Sequence, residues 1–312
     1  MIDRTYFNLW ENAVCDRVKE NNNLTNFSNN EILTNYVTYI RKCVFYSVTV
    51  VESEEIKKEI SESPALSTVY EEIKRRLQNG EGVAPYLSKR AKLLKPDYLF
   101  LDWNILHLHM GNLQQGNEYS DRTERTLHIW IQSDEKKVYF IRLGHHFISG
   151  EKDPYVDKEE LKIIYKNWPN LLNIRELNVE STTKVSDEER KKYRELGIMA
   201  PTTFKDYNGN KHVVVPAMYS LNKISVIDQE IVDRRIPNII NKIIDKVKQD
   251  ITKPELISKG RFCYYPKEKD FCFGVIKDAK FDPYIFSFSS VDFWRAVFYQ
   301  SPIVPLKISK DL

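Results

Sequence analysis

The sequence predicts an α+β fold from three observations. The first 95 residues carry apolar side chains at helical spacing. The middle of the chain changes to the alternating pattern of β-strands, and the last third contains both patterns. Short helices and antiparallel hairpins in succession are typical of an α+β protein and not of a doubly wound parallel sheet.

Residues 1–95 are predicted to form a helical N-terminal region. Apolar residues recur there every three or four positions, which gives each helix one face to bury. One of these helices has Ser63 as its N-cap and Pro64 at its first position, and Gly80 ends it. These boundary residues support a succession of separate helices.

Residues 96–170 are predicted to form a histidine-rich antiparallel sheet followed by a helix. The run from Tyr98 to Met110 has the residue types of a strand. The alternating runs RTLHIWIQ and VYFIRLG are joined by the short link SDEKK, which predicts a hairpin. The following helix is expected to begin at Asp157, with Glu160 completing a capping box.

Residues 171–312 are predicted to form a C-terminal α+β domain. Ser186 and Glu189 predict a capping box at the start of the helix DEERKKYREL. The Asn-Gly turn in FKDYNGNKHVVV predicts a hairpin, and RFCYYPKEKDFCFGVI predicts another. The aromatic segment FSFSSVDFWRAVFYQSPIVP is predicted to be core; an exposed version would be a surface for a protein partner.

The composition argues against several classes of function. The 312 residues are 42% hydrophobic, which is enough for a sizeable core, and the net charge of +3 is too small for a general nucleic-acid coating protein. No stretch reaches the roughly 18 uncharged apolar residues of a membrane span. The opening MIDRTYFNLWENAV lacks the apolar core of a signal peptide, so we expect a cytoplasmic protein without membrane association. The cysteines form no C-x-x-C pair, which disfavours a zinc knuckle.

Histidines are concentrated in the middle of the chain, at His107, His109, His128, His145 and His146. Because side chains alternate along a strand, His107 and His109 are expected on the same face. His145 and His146 follow the second strand of the hairpin, and strand ends are frequent places for functional residues. If the strands are neighbours, the imidazoles are expected to converge on one side of one sheet.

Several residues nearby complement the imidazoles. Histidine exchanges protons near neutral pH, and arginine binds phosphate through paired hydrogen bonds. Asp102 or Glu124 would orient an imidazole. The candidates for binding a phosphate-containing substrate are Arg122, Arg125, Arg142 and Tyr139.

Three interpretations of this segment remain open. In a metal-independent ribonuclease, one histidine accepts the 2′-hydroxyl proton, another group protonates the leaving oxygen, and arginine stabilises the phosphorane. In a metal site, the H-x-H pair of His107 and His109 chelates the ion with His145 or His146 as third ligand, although no acidic residue follows closely. In the third interpretation the histidines are packing residues on a two-sided sheet.

Residues 97–168 resemble the RelE-type toxins, which are small metal-independent ribonucleases. The resemblance rests on a helical region before LHLHMGN, on the hairpin from DRTERTLHIWIQ to VYFIRLGHH, and on a strand ending in Gly144-His145. The comparable RelE-like strand ends in a Gly-His-Arg run. His146 stands here where an arginine is typical, and Phe147 where a tyrosine would follow. RelE-type toxins are also much shorter than this chain.

The resemblance implies RNA cleavage by general acid–base chemistry without a cofactor. RNA is then the expected partner, and no metal ligand is assigned. The whole chain also looks like proteins of bacterial mobile elements, so the expected setting is a bacterial conflict (defence) or mobile-element system. The main alternative is a non-catalytic protein that binds a partner through the C-terminal aromatic segment, and the third is a metal-dependent hydrolase with an H-x-H site. The catalytic candidates are His107, His109, His145 and His146, and the substrate-binding candidates are Arg122, Arg125, Arg142 and Tyr139.

Overall fold

A computed structural model describes residues 4–22, 27–88, 91, 97–132, 135–145, 158–173, 176–178, 185–217, 225–250, 260–265, 270–277, 280–286 and 290–299. The fold is α+β, which confirms the fold class predicted from the sequence. In the described part of the chain, no helix combines the length and the apolar character needed to cross a membrane.

Helices and strands follow one another in the order expected of an α+β chain. The α-helices are α1 (Thr5–Asn22), α2 (Asn29–Cys43), α3 (Glu54–Ser61), α4 (Ser67–Asn79), α5 (Tyr98–Trp103), α6 (Glu159–Asn167), α7 (Asn170–Asn173), α8 (Asp187–Glu195), α9 (Val226–Glu230), α10 (Ile236–Asp250) and α11 (Ser290–Tyr299). The strands are β1 (Thr49–Glu52), β2 (Ile105–His109), β3 (Arg125–Gln132), β4 (Lys137–His145), β5 (Thr202–Lys205), β6 (Lys211–Val214), β7 (Gly260–Tyr265), β8 (Asp270–Lys277) and β9 (Lys280–Phe286). Short 3₁₀ turns cover Pro64–Leu66 and Ala84–Tyr86, and a π-helical turn covers Ile231–Arg235.

The chain divides into two compact units. One unit combines Met1–Tyr39 with Ile227–Leu312, and the other consists of Ile40–Val226. The two ends of the chain thus share a unit, whereas the sequence suggested three consecutive segments. Sequence patterns identify the apolar face of a helix but do not show which distant helix covers it.

In the unit formed by the two chain ends, an aromatic core connects α1 with α11. The ring of Trp10 lies 5.5 Å from that of Phe293 and 6.2 Å from that of Trp294, measured between centroids. Trp294 stacks on Phe298 at 5.6 Å, and all four rings are buried. These residues of the C-terminal aromatic segment are core, as predicted. The alternative of an exposed protein-binding surface is wrong for them.

The same unit contains an antiparallel sheet of β7, β8 and β9. The β7–β8 pairing confirms the hairpin predicted from RFCYYPKEKDFCFGVI, and Cys263 lies opposite Cys272 in its register. Helix α10 confirms the predicted isoleucine stripe, since Ile236, Ile240 and Ile244 are buried.

The second unit is built on a four-stranded sheet in the order β1-β4-β3-β2. The β3–β4 pairing is antiparallel and confirms the predicted central hairpin. However, β1 pairs parallel with β4, so the sheet is mixed and not purely antiparallel. β1 also interrupts the region that was predicted to be helical. The strand was not predicted because four residues are too few for alternation to identify it.

The run from Tyr98 to Met110 was predicted to be one strand, and this prediction is wrong. The run contains helix α5 followed by β2. Asp97 caps α5 by accepting a hydrogen bond from the amide of Phe100 at 3.2 Å. Asn104 ends the helix with a left-handed backbone, φ 56°, which asparagine adopts more readily than most residues. The turn at Asn104 therefore sets where β2 begins and which face its histidines occupy.

Two local predictions for the later part of this unit are confirmed. Ser186 and Glu189 form the capping box of α8, with both reciprocal hydrogen bonds present. The Asn-Gly sequence lies in the turn between the antiparallel strands β5 and β6, where Gly209 has φ 87°. Both features depend on residues close in sequence.

Candidate active site

Three histidines share one face of the four-stranded sheet. The register places His107, His128 and Arg142 in one row across β2, β3 and β4. His109 lies two residues along β2 and therefore points to the same side as His107. The predicted common face of His107 and His109 is confirmed, and His128 joins them.

His145 lies on the opposite face, so the expected convergence of all imidazoles is wrong. The register shifts where His128 pairs with Arg142 and Ile129 pairs with Phe140, which leaves Ile141 as an extra residue in β4. This β-bulge reverses the face to which the following residues point. His145 consequently pairs with Arg125, away from the three other histidines. His146, the other histidine at this strand end, lies outside the described residues.

His128 is the centre of a buried polar network. Its Nδ1 atom lies 2.8 Å from Oε1 of Glu160, and its Nε2 atom lies 3.2 Å from the hydroxyl of Thr126. The exposed fractions are only 3% for His128, 3% for Glu160 and 1% for Thr126. Gly144 leaves room for the ring, because a Cβ atom at that position would overlap the imidazole.

This network has a structural role. A hydroxyl, an imidazole and a carboxylate follow in the order of a catalytic relay, but their burial keeps a substrate from reaching Thr126. Glu160 therefore joins helix α6 to the sheet through His128. The prediction that Glu160 completes a capping box is wrong, since its carboxylate points to the sheet and contacts His128. Asp157, the predicted start of the helix, lies outside the described residues.

His107 acts electrostatically on a partly buried acid, Asp97, that the sequence did not single out. The charge of His107 acts on Asp97, whose carboxylate is 3.2 Å from the ammonium group of Lys42. Burial raises the pKa of Asp97, but the positive charges of Lys42 and His107 outweigh this effect and hold the pKa below its usual value. His107 is half-buried and His109 is buried, with 6% of its surface exposed.

Other sequence candidates take different positions. Tyr139 packs in the core, 4.8 Å from the ring of Trp168, and so does not face a substrate. Asp102 is paired with the guanidinium of Arg194 at 2.5 Å. Arg122 is exposed in the loop between β2 and β3.

At the end of β4 lie four polar residues that we call the strand-end cluster: Glu59, Arg125, Arg142 and His145. Arg125 and His145 share one face of the sheet, Arg142 lies on the other face with His128, and the charges of both arginines act on Glu59. Arg125 is exposed, and the other three are half-buried, so solvent reaches each side chain. Glu59 comes from α3 and accepts a hydrogen bond from the amide of Leu143 at 2.6 Å. The cluster is thus an accessible concentration of charge next to the histidine-rich strands.

Helix α3 positions Glu59 through Ser53. Ser53 caps α3 by accepting a hydrogen bond from the amide of Ile56 at 2.9 Å. The Ser53 amide donates to the carbonyl of Phe140 at 3.0 Å, and its hydroxyl donates to the carbonyl of Ile141 at 2.6 Å. These bonds fix the start of α3 at the bulge. The helix then brings Glu59 to the edge of β4 beyond the end of its pairing with β1.

The environment of Glu59 favours proton transfer. Burial raises the pKa of its carboxyl, while the Leu143 amide and the charges of Arg142 and Arg125 lower it; the net effect is a raised pKa. A carboxylate with a raised pKa is a stronger base than an ordinary surface carboxylate. The sequence missed Glu59 because it lies among other charged residues in EEIKKEIS, 84 positions before Leu143.

The described part of the chain contains no set of ligands that would support the metal interpretation. Among those residues, no group of three or more histidine, cysteine, aspartate or glutamate side chains is placed to hold a metal ion. In the strand-end cluster, one carboxylate and one imidazole can move protons, and two guanidiniums can stabilise negative charge. This combination suits chemistry at a phosphate ester.

Comparison of the chain with protein-family models, with curated proteins and with solved structures gave no match. The resemblance of residues 97–168 to RelE-type toxins stays a prediction from the sequence. The strand-end cluster is the arrangement of side chains from which a function is proposed below.

Proposed function

We propose that the protein is a metal-independent endoribonuclease whose active site is the strand-end cluster. The observation that carries this proposal is the placement of Glu59, held 2.6 Å from the Leu143 amide and within electrostatic reach of Arg125 and Arg142. His145 lies opposite Arg125 on the same strand end. A base, a second proton-transfer group and two phosphate-binding cations are the parts that metal-free RNA cleavage requires.

Each residue has a separate role in the proposed reaction. The Glu59 carboxylate accepts the proton of a ribose 2′-hydroxyl, and the 2′-oxygen forms a bond to the adjacent phosphorus. The bond from phosphorus to the 5′-oxygen breaks, and the imidazolium of His145 donates its proton to that oxygen. The products are a 2′,3′-cyclic phosphate and a 5′-hydroxyl. Arg125 and Arg142 balance the negative charge of the phosphorane.

The proposal changes the residues expected to be catalytic. His107 and His109 were candidates, but both lie on the other face of the sheet from His145. Arg142 lies on that face too, and we keep it in the proposed site because its charge acts on Glu59. We assign them, with His128, to the packing between the sheet and its neighbouring elements. The proposal also implies a cytoplasmic protein, because cellular RNA would be its substrate, and a role in a bacterial conflict or mobile-element system is consistent with such an activity.

Product analysis tests the proposed reaction. Purified protein would be incubated in excess EDTA with an oligodeoxynucleotide that contains one ribonucleotide. The proposal predicts a cut after that ribonucleotide, with a 2′,3′-cyclic phosphate on one product and a 5′-hydroxyl on the other. An all-deoxy oligonucleotide is the control and should stay intact. Cleavage of the control, or products with a 5′-phosphate, would overturn the proposed chemistry.

A further inference from the structure

An exposed aromatic ring lies at the tip of the β5–β6 hairpin. The exposed fraction of Tyr207 is 53%, so a large part of this amphipathic side chain is open to solvent. The turn around it is fixed, since one carboxylate oxygen of Asp206 accepts hydrogen bonds from the amides of Asn208 at 2.9 Å and Asn210 at 2.8 Å. The ring is therefore presented by a rigid turn.

The hydroxyl end of Tyr207 is anchored while much of its surface stays exposed. The hydroxyl donates a hydrogen bond to Oε1 of Glu159 at 2.6 Å. Glu159 is itself held by the ammonium group of Lys162 at 2.9 Å. The ammonium group of Lys166 lies 5.9 Å from the centre of the Tyr207 ring. A ring fixed in this way loses little conformational freedom when a flat ligand stacks on it.

Arg142 connects Tyr207 with the strand-end cluster. Arg142 pairs across the sheet with His128, whose ring contacts Glu160, and the adjacent Glu159 accepts the hydrogen bond from Tyr207. The charge of Arg142 also acts on Glu59, Glu159 and Tyr207. Burial raises the pKa of the Tyr207 hydroxyl, the Glu159 carboxylate raises it further, and Arg142 opposes both effects. A phosphate bound at Arg142 would thus have the Tyr207 ring nearby.

We propose that Tyr207 stacks on an unpaired nucleobase next to the phosphate bound at Arg142, and that the substrate is single-stranded RNA. This inference rests on the proposed ribonuclease function. Every nucleobase has a flat face that can stack on an aromatic ring, whereas the bases of a duplex are already stacked on one another. Stacking of one base typically changes affinity by about 10-fold or more.

Binding can be measured without cleavage. The probe is a fluorescent single-stranded RNA of about 10 nucleotides in which every ribose carries a 2′-O-methyl group, so that no 2′-hydroxyl is present to attack the phosphorus. Fluorescence anisotropy gives the dissociation constant for the wild type, Tyr207→Ala, Tyr207→Phe and Tyr207→Trp. We expect the dissociation constant to rise about 10-fold for Tyr207→Ala and to change less than about threefold for the two aromatic variants. The same sequence as a duplex should bind more weakly than the single strand.

The outcomes separate this inference from the proposed catalysis. Equal binding by Tyr207→Ala and the wild type, or no binding of the single strand at all, would overturn the stacking proposal. Cleavage by the wild type with unchanged binding by Tyr207→Ala would leave the catalytic proposal standing. A Tyr207-dependent affinity in a protein that cleaves no RNA would leave the stacking proposal standing and remove the catalytic one. Circular dichroism of each variant checks that the hairpin substitution leaves the fold intact.

Discussion

The Nδ1 atom of His128 lies 2.8 Å from a carboxylate oxygen of Glu160, and both side chains are buried. This contact joins β3 to helix α6 across the face that also carries His107 and His109. Removing either partner would leave the other buried without a hydrogen-bond partner, which lowers the free energy of unfolding. The histidines of this face are therefore expected to affect stability more than catalysis.

Loss of the Glu160 carboxylate should destabilise the protein. Glu160→Ala is expected to lower the free energy of unfolding by about 3 kcal/mol, since His128 would stay buried without its acceptor. Glu160→Gln keeps an oxygen acceptor and should cost less. Chemical denaturation provides the measurement. Glu124→Ala, at an exposed loop position, is the matched control, and an equal loss of stability in both alanine variants would contradict the role given to Glu160.

A side chain at Gly144 should displace the imidazole of His128. Gly144→Ala is expected to lower the free energy of unfolding by about 1–3 kcal/mol, because the added methyl group overlaps the buried ring. The loss should be smaller in a His128→Ala background, where the ring is absent. Gly116→Ala is a control without a steric clash, since its Cβ would meet nothing within 4 Å. Any loss of stability in that variant would come from the backbone, whose φ at Gly116 is 86°. Additive losses for Gly144→Ala and His128→Ala would show that the two positions do not interact.

Ser53 should matter for both stability and activity. Ser53→Ala removes the N-cap of α3 and the hydrogen bond to the Ile141 carbonyl, so the free energy of unfolding should fall by about 2 kcal/mol. The start of α3 would also become less fixed, which would misplace Glu59. We expect a lower cleavage rate in a protein that remains folded at room temperature. The control is Ser61→Ala at the exposed end of the same helix, which should change neither quantity by more than a small amount.

The raised pKa of Glu59 predicts a pH-dependent effect of Glu59→Gln. Below the unfolded-state pKa of about 4.3, the carboxyl is protonated in both states and contributes no ionisation penalty. As the pH rises through the higher pKa of the folded state, ionisation of buried Glu59 costs the wild type stability that the glutamine variant keeps. The variant should therefore gain stability relative to the wild type as the pH increases. Denaturation curves between about pH 4 and pH 8 test this, and a relative gain on acidification would contradict it.

The parts of the fold that could be predicted depend on residues close in sequence. Alternation identified the β3–β4 hairpin, the Asn-Gly pair identified the turn before β6, and Ser186 with Glu189 identified the start of α8. Each of these signals acts over a few residues, where backbone conformation and local hydrogen bonds decide the structure. The parallel pairing of β1 with β4 depends on contacts about 90 residues apart, for which the sequence pattern carries no signal.

The candidate site was predicted only in part for the same reason. Arg125, Arg142 and His145 were recognised by residue type, but the separation of His145 from His107 depends on the extra residue Ile141 in β4. A single bulge reverses the face of every later side chain in the strand, and alternation alone does not reveal it. Glu59 was missed because only the folded chain brings α3 to Leu143.

The assignment of the active site is tested by the initial rate of single-stranded RNA cleavage in excess EDTA, measured for the wild type and two sets of variants. We expect Glu59→Gln, His145→Ala and Arg125→Ala each to lower the rate by about 100-fold or more, as general acid–base and charge-stabilising groups do when removed. Arg122→Ala and His107→Ala, which lie outside the strand-end cluster, should keep the rate within a few-fold of the wild type. Loss of cleavage in His107→Ala with full activity in Glu59→Gln and His145→Ala would contradict the assignment of the active site.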